Sequence, residues 1–118
     1  MCVKFIITLM LIDLIWIVGN KEAHFKQVFD IQQTPLVLDK VAGLLFYILA
    51  GIGFSKFIKV YSKTKEEAFK NGALLGLLMY GTFDFTNKAI FTNYKWDYAI
   101  KDMLWGTFAL GSASYLIF

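Results

Sequence analysis

Cysteine and histidine are almost missing from this chain of 118 residues: Cys2 and His24 stand alone. A single cysteine excludes an intrachain disulfide, and one cysteine with one histidine excludes a Cys/His zinc site within one chain. Arginine is absent, so all twelve basic residues are lysine. With abundant Phe, Ile, Tyr and Asn, that points to AT-rich coding DNA. The lysines flank apolar runs instead of forming a patch interleaved with exposed aromatics, so the net charge of +3 is no sign of nucleic-acid binding. Charge itself is scarce, at 18% of residues against 58% hydrophobic and 18% aromatic, too apolar for an ordinary soluble chain. The lipid bilayer is the natural solvent and first partner.

What is present is a set of long apolar runs, at about 3–19, 41–60, 72–85 and 98–118. Each is near the ~20 residues needed to cross ~30 Å of hydrocarbon, provided the third extends at both ends, with Lys70 snorkelling to the headgroups. The runs predict an all-α integral membrane four-helix bundle of antiparallel up-down topology. It forms one domain over 1–118, with helices near 3–20, 41–60, 66–87 and 98–118 and an interfacial segment near 22–34. In that segment Phe25, Val28 and Phe29 follow amphipathic spacing and Pro35 stops the turns. The first run also resembles the core of a signal peptide behind Lys4, but Asp13 interrupts it and no A-x-A-like site follows, so it is expected to stay in the mature chain. Lys56, Lys59, Lys63, Lys65 and Lys70 crowd one short connection, which by the positive-inside rule places both termini on the cytoplasmic side.

Three aspartates sit where a spanning helix should be apolar: Asp13 in "TLMLIDLIWIVGN", Asp84 in "GTFDFTN" and Asp102 in "IKDMLWG". Up-down alternation puts all three in the half of the membrane opposite the lysine-rich connection. Helical phase adds to this. Gly72, Gly76, Tyr80 and Asp84 share a face, with Asn87 near in phase; Asp102, Gly106, Ala109 and Ala113 share another. Gly43, Tyr47, Gly51 and Ser55 line one face of the second helix, and Asp13, Trp16 and Asn20 one face of the first. A carboxylate facing lipid costs at least ~3 kcal/mol, so these faces should turn inward. The motif Asp-x-x-Trp occurs twice (Asp13 with Trp16, Asp102 with Trp105), and each indole could donate to a carboxylate on a neighbouring helix. Trp96 reads instead as an interfacial belt residue. The candidate ligand- or ion-binding set is therefore Asp13, Asp84, Asp102, Asn87, Trp16, Trp105, Tyr80 and Tyr47. The three carboxylates are expected to approach one another and to share at least one proton, held by Asp13 as the deepest, with Lys88 and Lys101 neutralising part of the cluster.

These residues resemble a family of small bacterial and viral membrane proteins, domain of unknown function 2177. The likeness rests on Asp-x-x-Trp in the first helix, Phe46-Tyr47 in the second, Tyr80-x-x-x-Asp84-x-Thr86-Asn87 ending the third, and Asp102-x-x-Trp105-Gly106 in the fourth. It covers nearly the whole chain and implies the fold and the polar cluster, but no activity. Three functions from different classes follow from the residues. Intramembrane carboxylates point to proton, ion or small-solute transport, for which four helices would need a homo-oligomer. Alternatively they are interhelical hydrogen-bond glue in a structural or assembly protein. Catalysis on lipid is disfavoured, since no nucleophile stands beside a base, and no cofactor or metal is implied.

Overall fold

The computed structural model describes residues 2–118, and among them all the regular secondary structure is helical. α1 spans Val3–Gly19, α2 Lys21–Gln32, α3 Lys40–Gly53, α4 Lys65–Ile90 and α5 Trp96–Ile117. α3 runs on into a π-helical turn, Phe54–Ile58. The expected unbroken helix over 41–60 therefore changes winding in its last third. The widened turn keeps both Phe54 and Ile58 buried while Phe54 stacks on Phe5 of α1, centroids 4.5 Å apart.

Local signals account for the ends. Thr64 accepts from Glu67 N (3.1 Å) while Glu67 Oε2 accepts from Lys63 N (2.7 Å), a reciprocal cap that starts α4. Asp39 caps α3 through Ala42 N. At Asn20 the side chain donates back to Trp16 O, α1 stops, and α2 leaves at 77° to it. Gln33, with φ of 61°, ends α2 two residues before Pro35.

α1 packs between α5 and α3, α4 lies along α5, and the π-turn closes back onto α4. The result is a bundle 46 Å long and 24 by 22 Å across. Its polarity runs inside out. Ile15 is 72% exposed, Leu49 63% and Leu104 60%, whereas Asp13 is 5% and Asp84 0% exposed. The four expected spans are not equally apolar. Among the described residues Lys40–Ile58 alone is long and apolar enough to cross a bilayer, and α1 with α2 passes only as a bent pair. α4 has the length, about 39 Å at 1.5 Å per residue, but acids, lysines and amides crowd its two ends.

The closest contact in the bundle is between α4 and α5. A Cβ added to Gly72 would come within 2.6 Å of Leu110 O, one on Gly76 would strike the Gly106 carbonyl, and one on Gly106 would enter the Tyr80 ring. Side-chain-free positions on both helices let the backbones touch, as the sequence stripe implies. Gly43 of α3 differs: nothing lies within 4 Å of its would-be Cβ, so it serves no helix contact.

Candidate functional site

The three aspartates gather in one half of the bundle as two linked groups. Asp13, from the middle of α1, accepts from Tyr47 Oη of α3 at 2.8 Å and from Trp105 Nε1 of α5 at 2.9 Å. Both carboxylate oxygens are thus engaged, each by a different helix. The expected indole donor is Trp105, across the interface. Trp16 makes no such bond; its ring stacks on Trp105 at 5.1 Å and 8°.

The second group is a carboxyl pair. Asp84 of α4 is completely buried and accepts from Tyr94 Oη on one oxygen. Its other oxygen has no hydrogen-bond partner, and Asp102 on α5 is the neighbouring carboxyl group across the interface. Two carboxyl groups can hydrogen-bond only through a proton on one of them. Asn87 meets the Tyr94 hydroxyl from α4. Tyr80 is wedged between the groups, its ring against Gly106 and its hydroxyl within electrostatic reach of Asp13, Asp84 and Asp102.

Asp84 is fully enclosed and Asp13 is 5% exposed. Asp13 already accepts from two donors, whereas one oxygen of Asp84 has none. One expectation needs correction: the lysines do not reach the cluster. Lys88 lies over the Trp96 ring at 5.6 Å, Lys101 is exposed, and the one ion pair among the described residues joins Lys95 to Asp30 at 3.8 Å. A long lysine side chain at a membrane edge gains more by staying hydrated than by entering the bundle.

Above the cluster lies an arrangement that the sequence did not reveal. α2 is fastened across the α4–α5 connection: Gln27, 4% exposed, donates to Asn93 O (2.8 Å) and accepts from Lys95 N (3.2 Å), while Asn93 Nδ2 donates to Asp30 O (2.9 Å). His24 Nδ1 and Tyr98 Oη are hydrogen-bonded at 2.6 Å, and the His24 ring meets Trp16 edge-on at 5.9 Å. Burial lowers the His24 pKa from its ordinary 6.5, partly offset by the Trp16 carbonyl. Burial, reinforced by the Asp84 carboxylate, raises that of the Tyr94 hydroxyl, which keeps it a donor. Beside this clasp opens a polar cavity of about 200 Å3 lined by His24, Tyr98, Trp16 and Gln27, with Lys26 and Lys101 at its walls. One sequence signal for Tyr98 existed: Tyr98-x-x-x-Asp102 repeats the spacing of Tyr80-x-x-x-Asp84.

An all-helical chain with apolar sides turned outward and carboxyl groups turned inward is of the membrane-protein class. The chain belongs to the family described as Predicted membrane protein (DUF2177), whose model matches residues 1–118, the whole chain. No curated protein and no solved structure matches it.

Proposed function

We propose that the protein crosses the bilayer four times, through α1, α3 with its π-turn, α4 and α5, with α2 on the interface and both termini on the cytoplasmic side. In this reading the Asp84–Asp102 pair is a proton-binding site loaded from the α2 side, and it serves proton-, ion- or small-solute transport in a homo-oligomer. The 46 Å long axis suits a bilayer of ~40–45 Å including headgroups.

The observation that carries the reading is charge balance. Three carboxyl groups meet inside an apolar bundle, and no lysine is paired with any of them. Such a cluster is electrically tolerable only with protons or another cation bound. The cavity beside His24 and Tyr98 opens at that half of the bundle, on the side from which the proton would enter. No catalytic role is assigned.

A structural role has its own support at Asp13, which ties α1 to α3 and α5 by accepting from both. We therefore divide the cluster: Asp13 holds helices together, and the Asp84–Asp102 pair handles the proton. The test is proton flux into vesicles reconstituted with the purified protein and loaded with a pH-sensitive dye. Asp84→Asn and Asp102→Asn should each abolish flux with the helical content unchanged. A well-folded wild type that passes no protons under any gradient would leave the structural role standing and remove the transport one.

A further inference from the structure

At the end of the bundle opposite α2 lies a feature that the carboxyl cluster does not use. The first turn of α1 and the π-turn with the residues after it enclose an open groove of about 730 Å3, lined by Cys2, Val3, Lys4, Ser55, Lys59 and Val60. Among the described residues no carboxylate lines it and neither lysine is in an ion pair, so two lysines and a serine share one concavity uncompensated. Both walls are anchored. Phe5 follows Lys4 in sequence and stacks on Phe54, which precedes Ser55, so the packing that buries these rings fixes the lysine-bearing backbones relative to each other. The π-turn contributes directly: Lys59 N donates to Phe54 O at 2.8 Å, setting Lys59 just past the widened turn.

The surroundings narrow the ligand. Val3 and Ile7 on one side and Phe57 and Val60 on the other are between 52% and 68% exposed, an apolar flank leading away from the groove. We propose that the groove binds the headgroup of an anionic phospholipid. Lys4 and Lys59 take the phosphate oxygens, Ser55 Oγ donates alongside them, and the acyl chains lie on the apolar flank. A headgroup with its own trimethylammonium would set a third positive charge beside two lysines, so a zwitterionic lipid fits worse.

Thermal unfolding of the full chain in detergent micelles doped with equal fractions of phosphatidylglycerol or phosphatidylcholine tests this, because a ligand that binds the folded state raises the midpoint. Phosphatidylglycerol should raise the midpoint clearly more than phosphatidylcholine. Lys4→Gln with Lys59→Gln should cut that difference by roughly half or more, and Lys4→Arg with Lys59→Arg should retain it. Lys56→Gln with Lys63→Gln, which removes the same charge outside the groove, should leave it intact. Glycerol phosphate without acyl chains should not reproduce the effect. Equal midpoints with the two lipids would overturn the proposal. So would a full preference surviving in the Lys4/Lys59 glutamine variant, or glycerol phosphate alone giving the whole shift.

Discussion

Two interfaces in this bundle are built in opposite ways. α4 and α5 touch through their backbones, with Gly72, Gly76 and Gly106 at the contact and room for nothing larger. α1 touches α3 and its π-turn through side chains, chiefly the stacked Phe5 and Phe54 and the Tyr47–Asp13 hydrogen bond. The first kind depends on summed close contact over a long stripe, and an added methyl group has nowhere to go. The second depends on a few discrete interactions, each removable at limited cost. The Asp84–Asp102 pair lies on the rigid interface and Asp13 on the adaptable one, which suits a precise two-oxygen geometry for one and a tether for the other.

The sharpest way to break this contrast is Gly76→Ala. Its methyl group would meet the Gly106 carbonyl, with the carbonyl carbon only 2.8 Å away. Separating α4 from α5 should cost about 3 kcal/mol, read as a fall in the thermal midpoint in detergent. Asp84→Ala comes next: the Tyr94 hydroxyl, 3% exposed as a residue, loses its acceptor, and about 2 kcal/mol should disappear in the same assay. Tyr47→Phe on the adaptable interface should cost only about 1 kcal/mol, since Asp13 keeps Trp105. Gly43→Ala should go the other way, stabilising α3 by about 0.5 kcal/mol, because the site is open and alanine is the better helix former.

The smallest effect concerns α2 and pH. Burial holds the His24 pKa below its ordinary 6.5, so the docked state resists a proton that the undocked segment accepts. Docking should be at full strength above about 6.5 and weaken as pH falls below it. Protection of the α2 amides, taken relative to their intrinsic exchange rates at each pH, should therefore fall on acidification, and His24→Gln should flatten that dependence.

Much of the inward face was legible from spacing alone. Gly72, Gly76, Tyr80 and Asp84 recur every fourth residue, and a helix can bury that stripe only against a neighbour that also offers small side chains. Of the expected α5 stripe Asp102, Gly106, Ala109 and Ala113, the structure sets Gly106 against Gly76 and Tyr80, while Leu110 and Ser114 meet Gly72. Gly43 shows the limit of the same logic: it continues the stripe of α3 in phase yet faces open space, because α3 meets its neighbours from Phe46 and Tyr47 onward. The lysines show another limit. Lys88 and Lys101 are one turn from the cluster in sequence, but flexible four-carbon side chains choose between carboxylate and water on grounds that spacing cannot express.

By itself the sequence determined the helical character, the outward apolar sides and the placing of three carboxylates on inward faces, because these follow from hydropathy and a period of 3.6 residues, both local properties of the chain. Only the tertiary structure decided which groups meet: Trp105 rather than Trp16 with Asp13, Asp84 with Asp102, and His24 and Gln27 with the α4–α5 connection. Partner choice depends on how far each helix is shifted and rotated against the next, and that is fixed by packing summed over the whole bundle, which no short stretch of sequence encodes.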